Sequence, residues 1–174
     1  MHVHALSIPE SQTVHRNPPI VAGHRSRRIL IAEDDVAMRR LMAAALRAAG
    51  HRVVEASDGV DVVQRIESTI WADRHDLYDV IVSDMTMPGL SGLDMLAMLR
   101  CSDVRTPFIL VTAFGDAIVR AEAKALGAAE VLAKPLELGT LQAAVERVLH
   151  AADPRLVVQV RPRRRGSRIA PIRD

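Results

Sequence analysis

Alternating short apolar runs and amphipathic stretches predict an α/β fold, a doubly wound five-stranded parallel sheet with helices on both faces. Four runs have the look of strands buried on both sides: residues 28–32 (RILIA), 79–83 (DVIVS), 107–112 (PFILVT) and 130–133 (EVLA). A weaker fifth, residues 52–55 (RVVE), lies between the first two. The segments between them carry apolar residues at helical spacing. Residues 36–49 set Met38, Leu41, Met42, Ala45 and Leu46 along one face, with Gly50 at the place of a C-terminal cap. Residues 116–126 are closed in the same way by Gly127. Residues 138–151 space Leu138, Leu141, Val145, Val148 and Leu149 as one helical face, and residues 58–70 and 93–100 complete the set. Crossovers in such a sheet are right-handed, and its ligands bind at the carboxyl ends of the strands, near the switch in strand order.

The chain has 174 residues, enough for one compact domain with appendages. Aromatic residues make up only 2%, so the core has to be built from Ala, Val, Leu, Ile and Met. The single Cys101 excludes an internal disulfide, has no Cys or His beside it at metal-ligand spacing, and reads as an ordinary, partly buried thiol. No secretory signal is visible, and no run approaches the roughly 20 apolar residues of a membrane span. The expected location is the cytoplasm.

Charge is unevenly spread. The net +2 resolves into +5 over residues 151–174, +1 over residues 1–26, and −4 over residues 27–150, which hold 14 basic and 18 acidic residues. Both ends lack periodicity. The first 26 residues are rich in His, Pro and Ser, and residues 153–174 are rich in Arg and Pro with one brief alternating stretch, Leu156 to Val160. Both ends are expected to be largely disordered.

Four polar features fall at successive strand ends. Glu33-Asp34-Asp35 follows the first strand, Asp84 (in SDMTMPGLSG) the third, Thr112-Ala113 ends the fourth, and Lys134-Pro135 the fifth. Carboxylates crowded at one sheet edge repel each other unless a cation intervenes. An all-oxygen site with open positions suits Mg²⁺, which binds a few carboxylates, keeps several waters and accepts a phosphate oxygen. Asp84 can then act as a carboxylate nucleophile toward a phosphoryl donor, with Lys134 as a second cation and Thr112 as a hydroxyl donor. Taken singly, each residue has a bland reading: an N-cap or solvated loop acid, a strand-end hydroxyl, a solvated lysine whose following Pro disfavours helix. Their joint order at successive strand ends favours the chemical reading.

These residues identify a resemblance. The pieces ILIAEDDVAMRRLM, DVIVSDMTMPGLSGLDML, PFILVTAFGD and EVLAKPL make residues 28–135, continuing through the helix that ends near Ala151, similar to a response-regulator receiver domain. The resemblance implies a flavodoxin-like sheet of order 2-1-3-4-5, with residues 27–152 as the receiver, 1–26 as an N-terminal extension and 153–174 as a basic tail. It implies that Glu33, Asp34, Asp84 and the backbone carbonyl of Thr86 hold Mg²⁺, with Asp35 one place beyond the acidic pair. Asp84 would be the phosphoacceptor, Thr112 the switch hydroxyl, and Lys134 the phosphoryl-binding lysine, joined to Pro135 by a cis peptide bond. The phosphoryl group would come from a sensor histidine kinase or a phosphotransfer protein, and the domain would catalyse its own phosphorylation and dephosphorylation.

Three departures stand out. Glu33 occupies a place where Asp is commoner. Val131, three before the lysine, replaces the Tyr or Phe that usually reports the threonine's movement; Phe114 is the alternative reporter, or simply packs beside its loop. The stretch STIWADRHDLYD lengthens the link into the third strand, with Trp71 expected to anchor it.

About 24 residues follow the last helix, too few for a helix-turn-helix with its own core. The expected output is therefore protein interaction, with a downstream partner or a second copy, or a phosphorelay. The face formed by residues 116–126, 130–133 and 138–151 (fourth helix, fifth strand, fifth helix) is the expected surface. The rival reading is a degenerate binding module whose RPRRRGSR tail holds nucleic acid or another polyanion by counterion release, although no aromatic residue interrupts that run to stack on bases. An aspartate-nucleophile phosphatase is disfavoured because Thr86 stands where its second Asp belongs. The irregular spacing of His2, His4, His15 and His24 argues against a metal site, and no glycine-rich phosphate loop is present.

Overall fold

In the computed structural model the described residues are 25–71, 78–113 and 117–152, the side chains of 69–71 excepted. Strands and helices alternate strictly: β1 (Arg28–Ala32), α1 (Val36–Ala48), β2 (Arg52–Ala56), α2 (Gly59–Trp71), β3 (Val80–Asp84), α3 (Gly92–Cys101), β4 (Phe108–Thr112), α4 (Ala117–Ala125), β5 (Glu130–Ala133) and α5 (Leu138–Ala152). The five strands form one sheet of order β2-β1-β3-β4-β5, parallel at every pairing. This is the predicted flavodoxin-like architecture.

The period-2 alternation of each strand divides the core into two layers. Ile29 and Ile31 of β1, Val80 and Val82 of β3, and Ile109 and Val111 of β4 face one side. There they meet Met42 and Leu46 of α1 and Leu141, Val145 and Val148 of α5. The intervening residues Leu30, Ile81, Phe108 and Leu110 face the other side, against Val62 and Ile66 of α2, Met95, Leu96 and Leu99 of α3, and Ala123 of α4. β3 and β4 are buried along their whole length, which explains why they read as continuous apolar runs. No helix among the described residues is long and apolar enough to cross a membrane.

Several boundaries and burials differ from expectation. β3 starts one residue later than predicted and includes Asp84. Asp79 lies just before the strand, its side chain accepting from the Arg28 amide (2.7 Å) and pairing with Arg27 (3.1 Å). Leu41 is exposed because the buried face of α1 is Met42, Ala43 and Leu46, rotated by one position from the predicted stripe. Cys101 is also exposed, since it ends α3 two residues beyond Leu99, the last residue of that helix to face the core. The lengthened link into β3 is partly helix, because α2 continues to Trp71. Residues 1–24, 72–77, 114–116 and 153–174 lie outside the described residues, so the expectations placed on Phe114, the Trp71 side chain and both ends fall there.

Candidate functional site

β1 pairs with β2 on one side and β3 on the other, so the strand order reverses beside β1. The crevice at the carboxyl ends of β1 and β3 is where a doubly wound sheet offers a site. Glu33 follows β1 directly, and Asp84 is the last residue of β3. Lys134 follows β5, and the Lys134–Pro135 peptide is cis as predicted.

One carboxylate oxygen from each of Glu33, Asp34 and Asp84 lies within 4.8 Å of the others. Lys134 reaches across the sheet to join two of them. Its Nζ lies 3.0 Å from Glu33 Oε2 and 3.0 Å from Asp84 Oδ2. The Glu33 side chain is 1% exposed and that of Lys134 24%; Asp84 is buried and Asp34 exposed. Burial pushes the Glu33 carboxyl above the usual carboxylate range; the hydrogen bond from Lys134 opposes this, and the Asp84 charge adds to it. For Lys134, burial alone would lower the ammonium, but its bonds to Glu33 and Asp84 outweigh burial and hold it above the usual lysine value.

The loop geometry around these groups follows from local sequence. Asp35 is the N-cap of α1, its carboxylate accepting from the Met38 amide at 2.7 Å. The three carboxylates that cluster do not include Asp35. Beyond β3, Ser91 caps α3, and the Gly92 amide donates to the Met85 carbonyl at 3.0 Å. Gly92 is required by close approach. A Cβ there would press on the Asp84 carbonyl and stand 2.6 Å from Leu110 Cδ1 and 3.1 Å from Met85 Cα. Thr86 is exposed on this loop, two residues past Asp84. Thr112 is buried at the end of β4, and its hydroxyl donates to the Met85 sulfur at 3.4 Å. The Lys134 amide donates to the Thr112 carbonyl at 2.7 Å, tying the ends of β4 and β5 together.

Glu33, Asp34, Asp84 and Lys134 therefore meet at one point. Thr112 is tied to the residue after Asp84, and Thr86 lies on the adjoining loop. Val131 is 8% exposed in the core layer that holds Phe108 and Ala123, and its carbonyl accepts from Arg120 at 3.0 Å. Sequence reasoning did not single out Met85, Gly92 or Arg39, all of which shape this loop region. The only signal for Arg39 was its place four residues after the capping Asp35, one helical turn along with its side chain directed back toward the loop.

Three carboxylates against one ammonium carry a formal charge of −2, a deficit that a divalent cation with oxygen preference would fill. The donor set fits Mg²⁺: carboxylate oxygens only, one of them exposed to solvent, with no sulfur or imidazole among them.

Comparison with known proteins agrees with this geometry. Residues 29–146 match the response regulator receiver domain. The chain is 34% identical over 122 residues to the regulatory protein AtoC of Escherichia coli, covering 70% of this chain and 25% of that protein. It is 35% identical over 133 residues to the response regulator protein PmrA of Pseudomonas aeruginosa, covering 76% and 57% respectively. It is 31% identical over 126 residues to the transcriptional regulatory protein FixJ of Bradyrhizobium diazoefficiens, covering 72% and 58%. The chain thus spans between a quarter and three fifths of the length of these relatives. Among solved structures, the receiver domain of the Francisella response regulator 1452 superposes with a TM-score of 0.66 at 26% identity, covering 72% of this chain and 98% of that one. The chemotaxis response regulator CheY4 of Vibrio cholerae gives 0.63 at 27% identity, covering 71% and 99%. With the strand order and the acidic crevice already described, these matches establish that the chain belongs to the response-regulator receiver family.

Proposed function

We propose that this chain, through residues 27–152, accepts a phosphoryl group on Asp84 from a sensor histidine kinase or a phosphotransfer protein, and signals through the altered protein. The observation that carries the reading is the Lys134 ammonium held 3.0 Å from both Asp84 and Glu33, with Asp34 alongside.

Glu33, Asp34, Asp84 and the Thr86 carbonyl would hold Mg²⁺, which when bound neutralises the carboxylates and the incoming phosphoryl oxygens. Asp84 supplies the nucleophile: one carboxylate oxygen forms the new O–P bond as the donor's P–N bond breaks and the imidazole leaves with the bonding pair. Lys134, already placed against Asp84, can follow the developing charge onto the phosphoryl oxygens. The Thr112 hydroxyl would leave the Met85 sulfur, a weak acceptor, for a phosphoryl oxygen, a far stronger one. That exchange pulls on the end of β4 and, through the Thr112 carbonyl, on β5. The face made by α4, β5 and α5 would then carry the signal to a protein partner or a second copy.

Incubation with Mg²⁺ and acetyl phosphate tests this reading. The expected result is an acid-stable, base-labile mass gain of one phosphoryl group, abolished by chelation and absent in Asp84→Asn. Undiminished label in Asp84→Asn would refute the assignment.

A further inference from the structure

We propose that Arg39 is a positioning residue that sets the geometry of the acidic pair Glu33-Asp34, and so the affinity of the crevice for its divalent cation. The inference rests on the reading of that crevice given above.

The Arg39 side chain is 14% exposed and packs against the turn between β1 and α1. Its Nη1 donates to the Glu33 carbonyl at 2.6 Å and to the Asp34 carbonyl at 3.3 Å. Successive carbonyls in an extended strand point in opposite directions. A single nitrogen can serve both only where the chain turns, so the bond pair holds that turn. On its other side, Arg39 Nε lies 3.8 Å from Glu55 Oε2 on β2, and Arg47 pairs with the same carboxylate at 2.9 Å. The guanidinium therefore fastens the acidic loop to the neighbouring strand.

The consequence falls chiefly on Asp34. Glu33 is anchored by burial and by Lys134, and Asp35 by capping α1. Asp34 is exposed, so burial does not fix its carboxylate, and its backbone is held at the carbonyl that Arg39 engages. Groups that orient metal-binding residues from behind commonly change metal affinity by roughly 10- to 100-fold when removed. A lysine cannot replace this arginine in full, because its ammonium lacks the planar fork that spans carbonyls and carboxylate together.

Charge and geometry predict opposite signs here, which makes the proposal decidable. Arg39 is a cation close to a cation site, so removing its charge alone would tighten Mg²⁺ binding. Loss of the clamp would weaken it.

The experiment is calorimetric titration of the full chain with MgCl₂, for wild type, Arg39→Ala and Arg39→Lys. Acetyl phosphate labelling across a range of Mg²⁺ concentrations accompanies it, with urea unfolding in the absence of metal. The expected result is Mg²⁺ binding weakened on the order of tenfold in Arg39→Ala and less in Arg39→Lys, with labelling rates at saturating Mg²⁺ within a few-fold of wild type. A merely structural role would lower stability without moving the Mg²⁺ dependence. Unchanged or tighter binding in a folded Arg39→Ala overturns the proposal. Should Arg39→Ala fail to fold, Arg39→Lys decides, since it keeps the charge and loses the fork: weaker binding supports the clamp, and equal binding overturns it. A wild type that neither binds Mg²⁺ nor takes label removes the underlying reading and the clamp's role with it. A wild type that does both, beside unaltered variants, removes the clamp alone.

Discussion

Lys134 and Asp84, fifty residues apart in sequence and at the carboxyl ends of strands separated by β4, meet at 3.0 Å in the crevice. The same ammonium lies equally close to Glu33, so one cation holds two buried carboxylates together.

That arrangement predicts the behaviour of Lys134→Ala. Removing the ammonium leaves Glu33 and Asp84 facing each other without compensation. Loss of hydrogen bonds to charged groups costs about 1.5–3 kcal/mol. Urea unfolding without metal at neutral pH should show a loss of that size, and Mg²⁺ should restore part of it by binding the folded form. Labelling by acetyl phosphate should slow by about a hundredfold or more, as when a preorganised charge-stabilising group is removed.

The raised pKa of Glu33 sets a direction for pH. In the metal-free fold this carboxyl binds its proton more tightly than in the unfolded chain. Its contribution to stability is therefore fully present below the unfolded carboxylate pKa and is lost as pH rises through the raised folded value. Urea midpoints of the metal-free protein should fall across that window, and those of Glu33→Gln should fall less. Lys134, also raised, contributes stability that is lost only at the alkaline end, as pH passes its own elevated value. A proton on Glu33 competes with metal, so Mg²⁺ affinity should drop as pH is lowered through the same window.

Gly92 ties packing to chemistry. In Gly92→Ala the added methyl meets the Asp84 carbonyl, Leu110 and Met85, groups that are backbone or core. Overpacking of this kind costs about 1–3 kcal/mol. It also displaces the end of β3, so labelling of Asp84 should fall even under conditions where circular dichroism shows the variant folded. Gly139, where a Cβ meets nothing within 4 Å, is the control: Gly139→Ala should fold at least as stably and label normally.

Much of this was legible in the sequence because the inner parallel strands are buried on both faces and hence apolar along most of their length, as Ile29–Ala32, Val80–Val82 and Phe108–Val111 are. The acidic group was legible because each member sits at a strand end, and strand ends of a doubly wound sheet converge. What escaped did so for local reasons. Asp79 looked like part of β3, but its carboxylate serves the start of β1. Leu41 looked like core, but helical spacing alone does not fix which neighbouring stripe faces the sheet. Arg39 was hidden because its shortest bonds go to backbone carbonyls, which carry no side-chain signature, and its carboxylate partner Glu55 lies on another strand. Gly92 was hidden because its role is an absence of atoms beside Asp84.

That Asp84 takes the phosphoryl group is tested most directly by chemical mapping. An aspartyl phosphate is reduced by borohydride to homoserine, whereas a free carboxylate is not. After labelling with acetyl phosphate and Mg²⁺, reduction and peptide mass mapping should find homoserine at position 84, with Glu33, Asp34 and Asp35 unchanged. Homoserine at position 34 or 35, or label with Asp84 intact, would rule out Asp84 as the phosphoacceptor.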